Sequence, residues 1–480
     1  MTMKGYLMNI GLEIHIQLNT ETKAFCRDRN LFGQEPNTSI SEISLGYPGT
    51  LPVLNRNHVT SAIKLGHALG CKISEVNYFD RKNYHYPDLP KGYQITQDAV
   101  PICIGGSFEY KSEGVLKTID IHHIHCEEDA GKNIHDLSEK YSYIDYNRGG
   151  TPLLEMVTKP DFTSGKEVHD FIAALQSLVR YLEISDANME EGSLRCDCNV
   201  SIRPADSFKL GTRVEVKNVN SKKFAQQSIE YEAKRQYNLI QKGESFIQET
   251  RLFNPTEQKT YSMRSKEDVN DYRYFPDPDL QPIVLDQQLI DNIKDSLGVT
   301  PKIAEAALIK ASLNQEQVSQ LVSEKEYYLL FENLNAYTQD AKQCANFIIA
   351  TIIPYCKNNG LTVNEFPLSK DKIKEIFKLL ASKEISHTIC NQKLLPHLFE
   401  NPKSTVQEAV EKLGLKSNDD SSDLSTLVQQ VLDKNPGKLK AYQSGKKGLI
   451  GFFMGEAMKM SEGKVRPDLL KKLMEEQLNK

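Results

Sequence analysis

Three separate stretches of this chain alternate apolar with charged residues, and that alternation leaves few folds open. In residues 5–18, Leu12, Ile14, Ile16 and Leu18 share one side of an extended strand, while Glu13, His15 and Gln17 share the other. In GSLRCDCNVSIRP, Leu194, Cys196, Cys198, Val200 and Ile202 oppose Arg195, Asp197, Asn199 and Ser201. In TRVEVKNV, Val214 and Val216 oppose Arg213, Glu215 and Lys217. Such strands bury one face and wet the other, so the simplest assembly is a mostly antiparallel sheet backed by helices, with a charged floor on its free side. The pleat sets Glu13 and His15 side by side, about 7 Å apart along the first strand. Each strand alone reads as the wet face of a sheet; together they favour a metal and phosphate floor.

Residues 117–155 add a cluster of acids. A strand runs into Glu127, Glu128 and Asp129, turns at Gly131, and a second strand over 141–146 leads to Arg148, a Gly-Gly hinge and Glu155. Three adjacent carboxylates repel one another and are costly to bury, and a hard cation such as Mg2+ removes both problems. Taken alone, these three residues read as a solvated acidic turn. The direction of Glu155, inside an apolar run, is left open. In the preceding run, adjacent strand residues point to opposite faces, so at most His123 and His125 of His122, His123 and His125 converge. Structural histidines are expected there.

Residues 78–97, YFDRKNYHYPDLPKGYQITQ, read as a loop stiffened by Pro87, Pro90 and Gly92, with Arg81, Lys82 and Lys91 available to phosphates or simply packed on the surface. Helices are expected near 60–69, over 164–183 started by Thr163 or Ser164, and over 221–241 closed by Gly243. PDPDLQPI marks a boundary near residue 287, after which Thr300 and Pro301 open a largely helical region to about 410. LKSNDDSSDLS is a polar linker, and residues 434–480 carry eleven Lys or Arg against five Asp or Glu. That local excess supports a solvated helix face and an RNA-backbone contact equally.

Net charge is −5, so no global basic field announces nucleic acid. Nine scattered cysteines argue for reduced thiols, and Cys196 and Cys198 read as buried apolar side chains. The N-terminus has no export layout, which makes a cytoplasmic protein the expectation. GxxxxGK[ST], GxGxxG after a strand, HExxH, GxSxG and a Gly/Ser-rich amidase stretch are all missing from the sequence. The residues favour metal-assisted phosphate chemistry over acyl hydrolysis.

GLEIHIQLNT, FDRKNYHYPDLPKGYQITQ, HCEEDAGK, DYNRGGTPLLEMVTKPD, MEEGSLRCDCNVSIRP, VEVKNVNS and the closing GLIGFFMGEAMKMSEGKVRPDLL, in this order, resemble the B subunit of the bacterial aspartyl/glutamyl-tRNA(Asn/Gln) amidotransferase. The resemblance implies an α+β cradle domain of glutamine synthetase/guanido kinase type over residues 1–290. It further implies an all-α domain over 291–410 and a small all-α, tRNA-binding tail over 411–480. The implied reaction is ATP-dependent phosphorylation of the side-chain carboxylate of Glu-tRNA(Gln) or Asp-tRNA(Asn), followed by attack of ammonia to give the amide. An amidase A subunit would supply the ammonia through a polar tunnel, and a small C subunit would wrap the pair.

By motif, the resemblance assigns Glu13, His15, Glu128, Glu155 and Asp197 to metal, with ATP and Mg2+ as cofactors. Arg148, Arg195, Arg213 and Lys217 are candidates for phosphate or carboxylate contacts, and Lys446, Lys447, Lys464 and Arg466 for tRNA contacts. Many relatives carry a four-cysteine zinc site near the N-terminus. Here Cys26 remains and Asp28, Ser41 and Ser44 stand at the other positions, so no zinc is expected. His85 also stands where an aromatic is usual.

Overall fold

Ten strands form one sheet, and its two faces follow the alternation in the sequence. The computed structural model describes residues 3–478 apart from 136, 139, 266–270, 417–420, 462–464 and 466. Two compact units divide the chain, Met1–Ile303 and Ala304–Lys480. The sheet lies in the first. Its strands are β1 (Tyr6–Gln17), β2 (Lys72–Ile73), β3 (Cys103–Ile104), β4 (Ser107–Ser112), β5 (Val115–Glu128), β6 (Pro152–Thr158), β7 (Leu194–Pro204), β8 (Val214–Lys217), β9 (Glu249–Asn254) and β10 (Lys259–Ser265). The path across the sheet is β10-β9-β8-β7-β1-β6-β5-β3-β2, with β4 paired to β5. All pairs are antiparallel except β8 with β9. The architecture is α+β.

Ile10, Leu12, Ile14 and Ile16 of β1, Leu154 and Met156 of β6, and Leu194, Cys196, Cys198 and Val200 of β7 are buried in one core. Helices α1 (Arg56–Ala68), α2 (Gly165–Tyr181) and α3 (Lys222–Gln241) add Ile63, Phe171, Ile172, Leu175 and Ile229 to it. Each fully buried side chain of this size contributes about 1.5–3 kcal/mol. Helix α2 starts where Ser164 accepts a hydrogen bond from the backbone N–H of Glu167, and α3 where Ser221 accepts from that of Phe224. Gly243, at φ +73°, supplies the left-handed turn after α3. The sequence located all three helices, and α1 begins earlier than expected because Asn55 caps it.

The expected loop at 78–97 contains two short strands. Asp80–Asn83 pairs with Tyr93–Thr96 and, on its other edge, with Phe275–Pro276. The polar run DRKN gives no strand signal of its own; its pairing comes from a segment nearly two hundred residues away. Arg81 is held there by Asp277 at 2.9 Å and Asp279 at 2.7 Å, over the ring of Tyr93.

The described residues of the second unit contain helices and no strands. Just ahead of it, Thr300 Oγ1 accepts from the N–H of Ile303, in the arrangement expected before Pro301. Leu424, Val428, Val431, Phe453, Ala457, Leu470 and Met474 form a small core near the end of the unit. Among the described residues, no helix is long and apolar enough to cross a membrane.

Candidate metal and phosphate site

The free face of the sheet brings its charged residues together in cross-strand rows. One row runs His125 on β5, Glu155 on β6, His15 on β1 and Arg195 on β7. In the next, Glu13 sits opposite Asp197, and Asn199 pairs with Glu215 one step further along. These residues are neighbours because antiparallel register aligns polar positions that the pleat has already turned to one side.

His15 Nε2 lies 3.3 Å from Glu155 Oε2 and 3.7 Å from Glu127 Oε1. His125 Nε2 lies 3.6 Å from both Glu127 Oε2 and Glu155 Oε2. Ligating atoms of His15, Glu127 and Glu155 all fall within 4.8 Å of one another, and so do those of Glu13, Asp197 and Glu215. Asn199 donates to Glu13 at 2.9 Å, Thr250 to Glu215 at 2.8 Å, and Lys217 Nζ bridges Asp197 at 2.6 Å and Glu215 at 2.9 Å.

Burial and mutual pairing shift several of these groups from their ordinary ranges. Burial raises the Glu13 pKa, and the nearby charge of Glu155 adds to the effect. Burial lowers that of His15, but its bond to Glu155 and the charges of Glu155 and Glu127 outweigh this and bring it to about 8. Glu155 is itself buried, yet the His15 bond and the charge of His125 hold its carboxyl well below the usual range. The imidazolium thus occupies the place of positive charge beside two carboxylates. The carboxylate oxygens are donors of the kind Mg2+ or Mn2+ takes, and the imidazole of His15 adds a nitrogen donor of the kind transition metals take.

Of the sequence candidates, the structure gathers Glu13, His15, Glu155 and Asp197 on this floor. It does not bring Glu128 there. Ile124 and Cys126 of β5 point into the core, and Glu128 continues that side of the strand, where its carboxylate accepts from Lys91 Nζ and from the N–H of Ile95 at 3.0 Å. Beside Cys26, Ser44, Lys91 and Gly150 it lines a cavity of about 100 Å³. Glu127 is the acid of this turn that lies beside His15 and Glu155. Sequence reasoning missed Glu127 and Glu215 as members of the clusters and His125 as their neighbour, although the period of two that placed Glu13 and His15 applies equally to them.

Arg195 and Arg148 turn to Asp129. Arg195 Nη2 reaches Asp129 Oδ2 at 2.7 Å, and Gln17 donates to the same oxygen at 2.6 Å. Arg148 braces the turn, donating to the carbonyls of Ala130 at 2.9 Å and Gly131 at 2.6 Å. Burial raises the Asp129 pKa, but the charges of Arg195 and Arg148 more than reverse that. Arg195 Nε is buried without a hydrogen-bond partner among the described residues. Arg213 is exposed at the start of β8. Lys446 and Lys447 are exposed in the second unit, while Lys464 and Arg466 lie outside the described residues.

At the four positions compared with a zinc site, Ser41 Oγ and Ser44 Oγ both donate to Asp28 Oδ2, at 3.0 and 2.6 Å. Burial pushes the Cys26 thiol up to about 11. The four residues converge, with hydrogen bonds in place of soft donors.

Known proteins resemble this chain over nearly its whole length. The GatB/GatE catalytic domain matches residues 8–291, and the GatB domain matches residues 329–478. The B subunit of the aspartyl/glutamyl-tRNA(Asn/Gln) amidotransferase of Persephonella marina is 42% identical over 471 residues, covering 98% of each chain. Its counterpart in Chlorobium phaeobacteroides is 41% identical over 479 residues, covering 99% of this chain and 100% of its own. That of Pseudomonas syringae pv. syringae is 42% identical over 475 residues, covering 98% of each. The chain therefore belongs to the family of aspartyl/glutamyl-tRNA(Asn/Gln) amidotransferase B subunits.

Proposed function

We propose that this chain is the activating subunit of a glutamine-dependent amidotransferase. It converts Glu-tRNA(Gln), Asp-tRNA(Asn) or both to Gln-tRNA(Gln) and Asn-tRNA(Asn), with an amidase A subunit and a small C subunit as partners. A carboxylate resists attack by ammonia. Transfer of the γ-phosphoryl group of ATP to the side-chain carboxylate gives an acyl phosphate and ADP, and ammonia then displaces phosphate to leave the amide. This chemistry asks for positioned positive charge more than for a nucleophile.

The observation that carries the reading is the pair of clusters, His15 with Glu127 and Glu155, and Glu13 with Asp197 and Glu215, on adjacent positions of one sheet. These residues would hold Mg2+, which supplies positive charge to nucleotide phosphates when bound. Lys217 neutralises Asp197 and Glu215 and keeps them from repelling each other. Arg195, anchored on Asp129, keeps a free Nε for a phosphate or carboxylate oxygen. The hydroxyl bonds of Ser41 and Ser44 to Asp28 and the protonated Cys26 thiol support a chain without zinc.

The cradle fold, the three-part division at 290 and 410, and a tail that holds tRNA through Lys446, Lys447, Lys464 and Arg466 belong to the same proposal. Reconstitution with the A and C subunits, glutamine, ATP and each misacylated tRNA tests it. Amide formation coupled to ADP release is the expected result; glutamine-dependent amidation that proceeds without ATP would contradict the reading.

A further inference from the structure

β5 carries a bulge that the sequence does not announce. Val157 pairs with His123 while Thr158 pairs with Ile121, so His122 is an extra residue opposite β6. The bulge cancels the alternation for one step and leaves the rings of His122 and His123 in contact, where regular pleating would separate them. His122 Nδ1 meets His123 Nδ1 at 2.7 Å, and His123 Nε2 meets His125 Nδ1 at 3.2 Å. The rings of His123 and His125 stack at 5.2 Å with 20° between their planes. His122 is exposed and His125 is buried, with its Nε2 aimed at Glu127 and Glu155.

We propose that His123 is a positioning residue. Its hydrogen bond to Nδ1 fixes the ring of His125, and through it the carboxylates of Glu127 and Glu155. A neutral imidazole has one N–H and one bare nitrogen. His125 Nε2 faces two carboxylates, so that nitrogen carries the hydrogen and Nδ1 must accept. His123 Nε2 then donates, its Nδ1 accepts, and His122 Nδ1 donates to it. One direction of donation runs from the surface to the acids, and each ring sets the tautomer of the next. Groups that orient a ligand in this way matter to cation affinity by about 10–100-fold. That consequence rests on the proposed cation site; the hold on His125 does not.

The test uses the full chain and two substitutions. His123→Gln keeps an amide at the Nε2 position, whereas His123→Asn reaches only the Nδ1 position. Ring 15N spectra of His125, assigned with His125→Gln and recorded at about pH 9.5, above the ordinary imidazole range, report its tautomer without any cation. The wild type and H123Q should show the Nε2–H form alone, and H123N a mixture of both forms. Mn2+ titration followed by electron paramagnetic resonance should show H123N about tenfold weaker, with H123Q close to wild type. A single Nε2–H form in H123N, or H123Q as disturbed as H123N, would overturn the proposal. If the wild type takes up no Mn2+, the cation reading fails, and the nitrogen spectra still decide the role of His123.

Discussion

Glu127 and Glu128 are adjacent in the chain and end on opposite faces of the sheet. Glu127 Oε2 lies 3.6 Å from His125 Nε2, while Glu128 accepts the backbone N–H of Ile95 at 3.0 Å and pairs with Lys91. One step along a strand separates an acid beside His15 and His125 from one set against Lys91.

This division gives a direct contrast. Glu127→Gln should lower Mn2+ affinity by at least about tenfold with little change in melting temperature. Glu128→Gln should leave Mn2+ affinity near wild type and destabilise the fold by about 3 kcal/mol, because Lys91 is left buried without its counter-charge. Calorimetric titration and thermal melts of the two variants check both halves. The reverse pattern would place the site on the wrong face.

The pH dependence follows from His15. Its pKa in the fold is about 8, above the ordinary 6.5. The folded chain therefore binds the extra proton more tightly, and that stabilisation is complete below about pH 6.5 and lost as pH rises through about 8. The cation-free chain should lose about 2 kcal/mol over this interval, read by urea denaturation. Mn2+ competes with the same proton, so its affinity should rise across the interval. Affinity that falls as pH rises would remove His15 from the ligand set.

The convergence of Cys26, Asp28, Ser41 and Ser44 yields a gain-of-function test. The combined variant Asp28→Cys, Ser41→Cys and Ser44→Cys should take up one zinc ion per chain, measured by elemental analysis after dialysis. The wild type should contain none, and chelators should not alter its melting temperature. Stoichiometric zinc in the wild type would contradict the account.

Much of the fold was legible in the residues. Glu13, His15 and Asp197 were placed by strand period alone, and Ser164, Ser221 and Gly243 marked helix ends through their side-chain and backbone chemistry. What escaped depends on long-range pairing. The bulge at His122 exists only because β6 meets β5 out of step, so the histidines were expected on opposite faces. The strand at Asp80–Asn83 forms against Phe275–Pro276, far along the chain. Arg195 and Arg148 were read as phosphate or carboxylate contacts, and each also pairs with Asp129, a partner that local sequence cannot specify. Glu128 came from motif resemblance, and the pleat turns its neighbour Glu127 to the side of His15 and His125.

The most direct measurement follows ADP and amide formation in the reconstituted complex with Glu-tRNA(Gln) and Asp-tRNA(Asn), comparing wild type with Glu155→Ala and Asp197→Ala. The wild type should release one ADP for each amide formed. Each variant should lose roughly 100-fold or more in turnover while binding tRNA as tightly as the wild type. Variants that turn over at the wild-type rate would contradict the claim that these acids serve phosphoryl transfer.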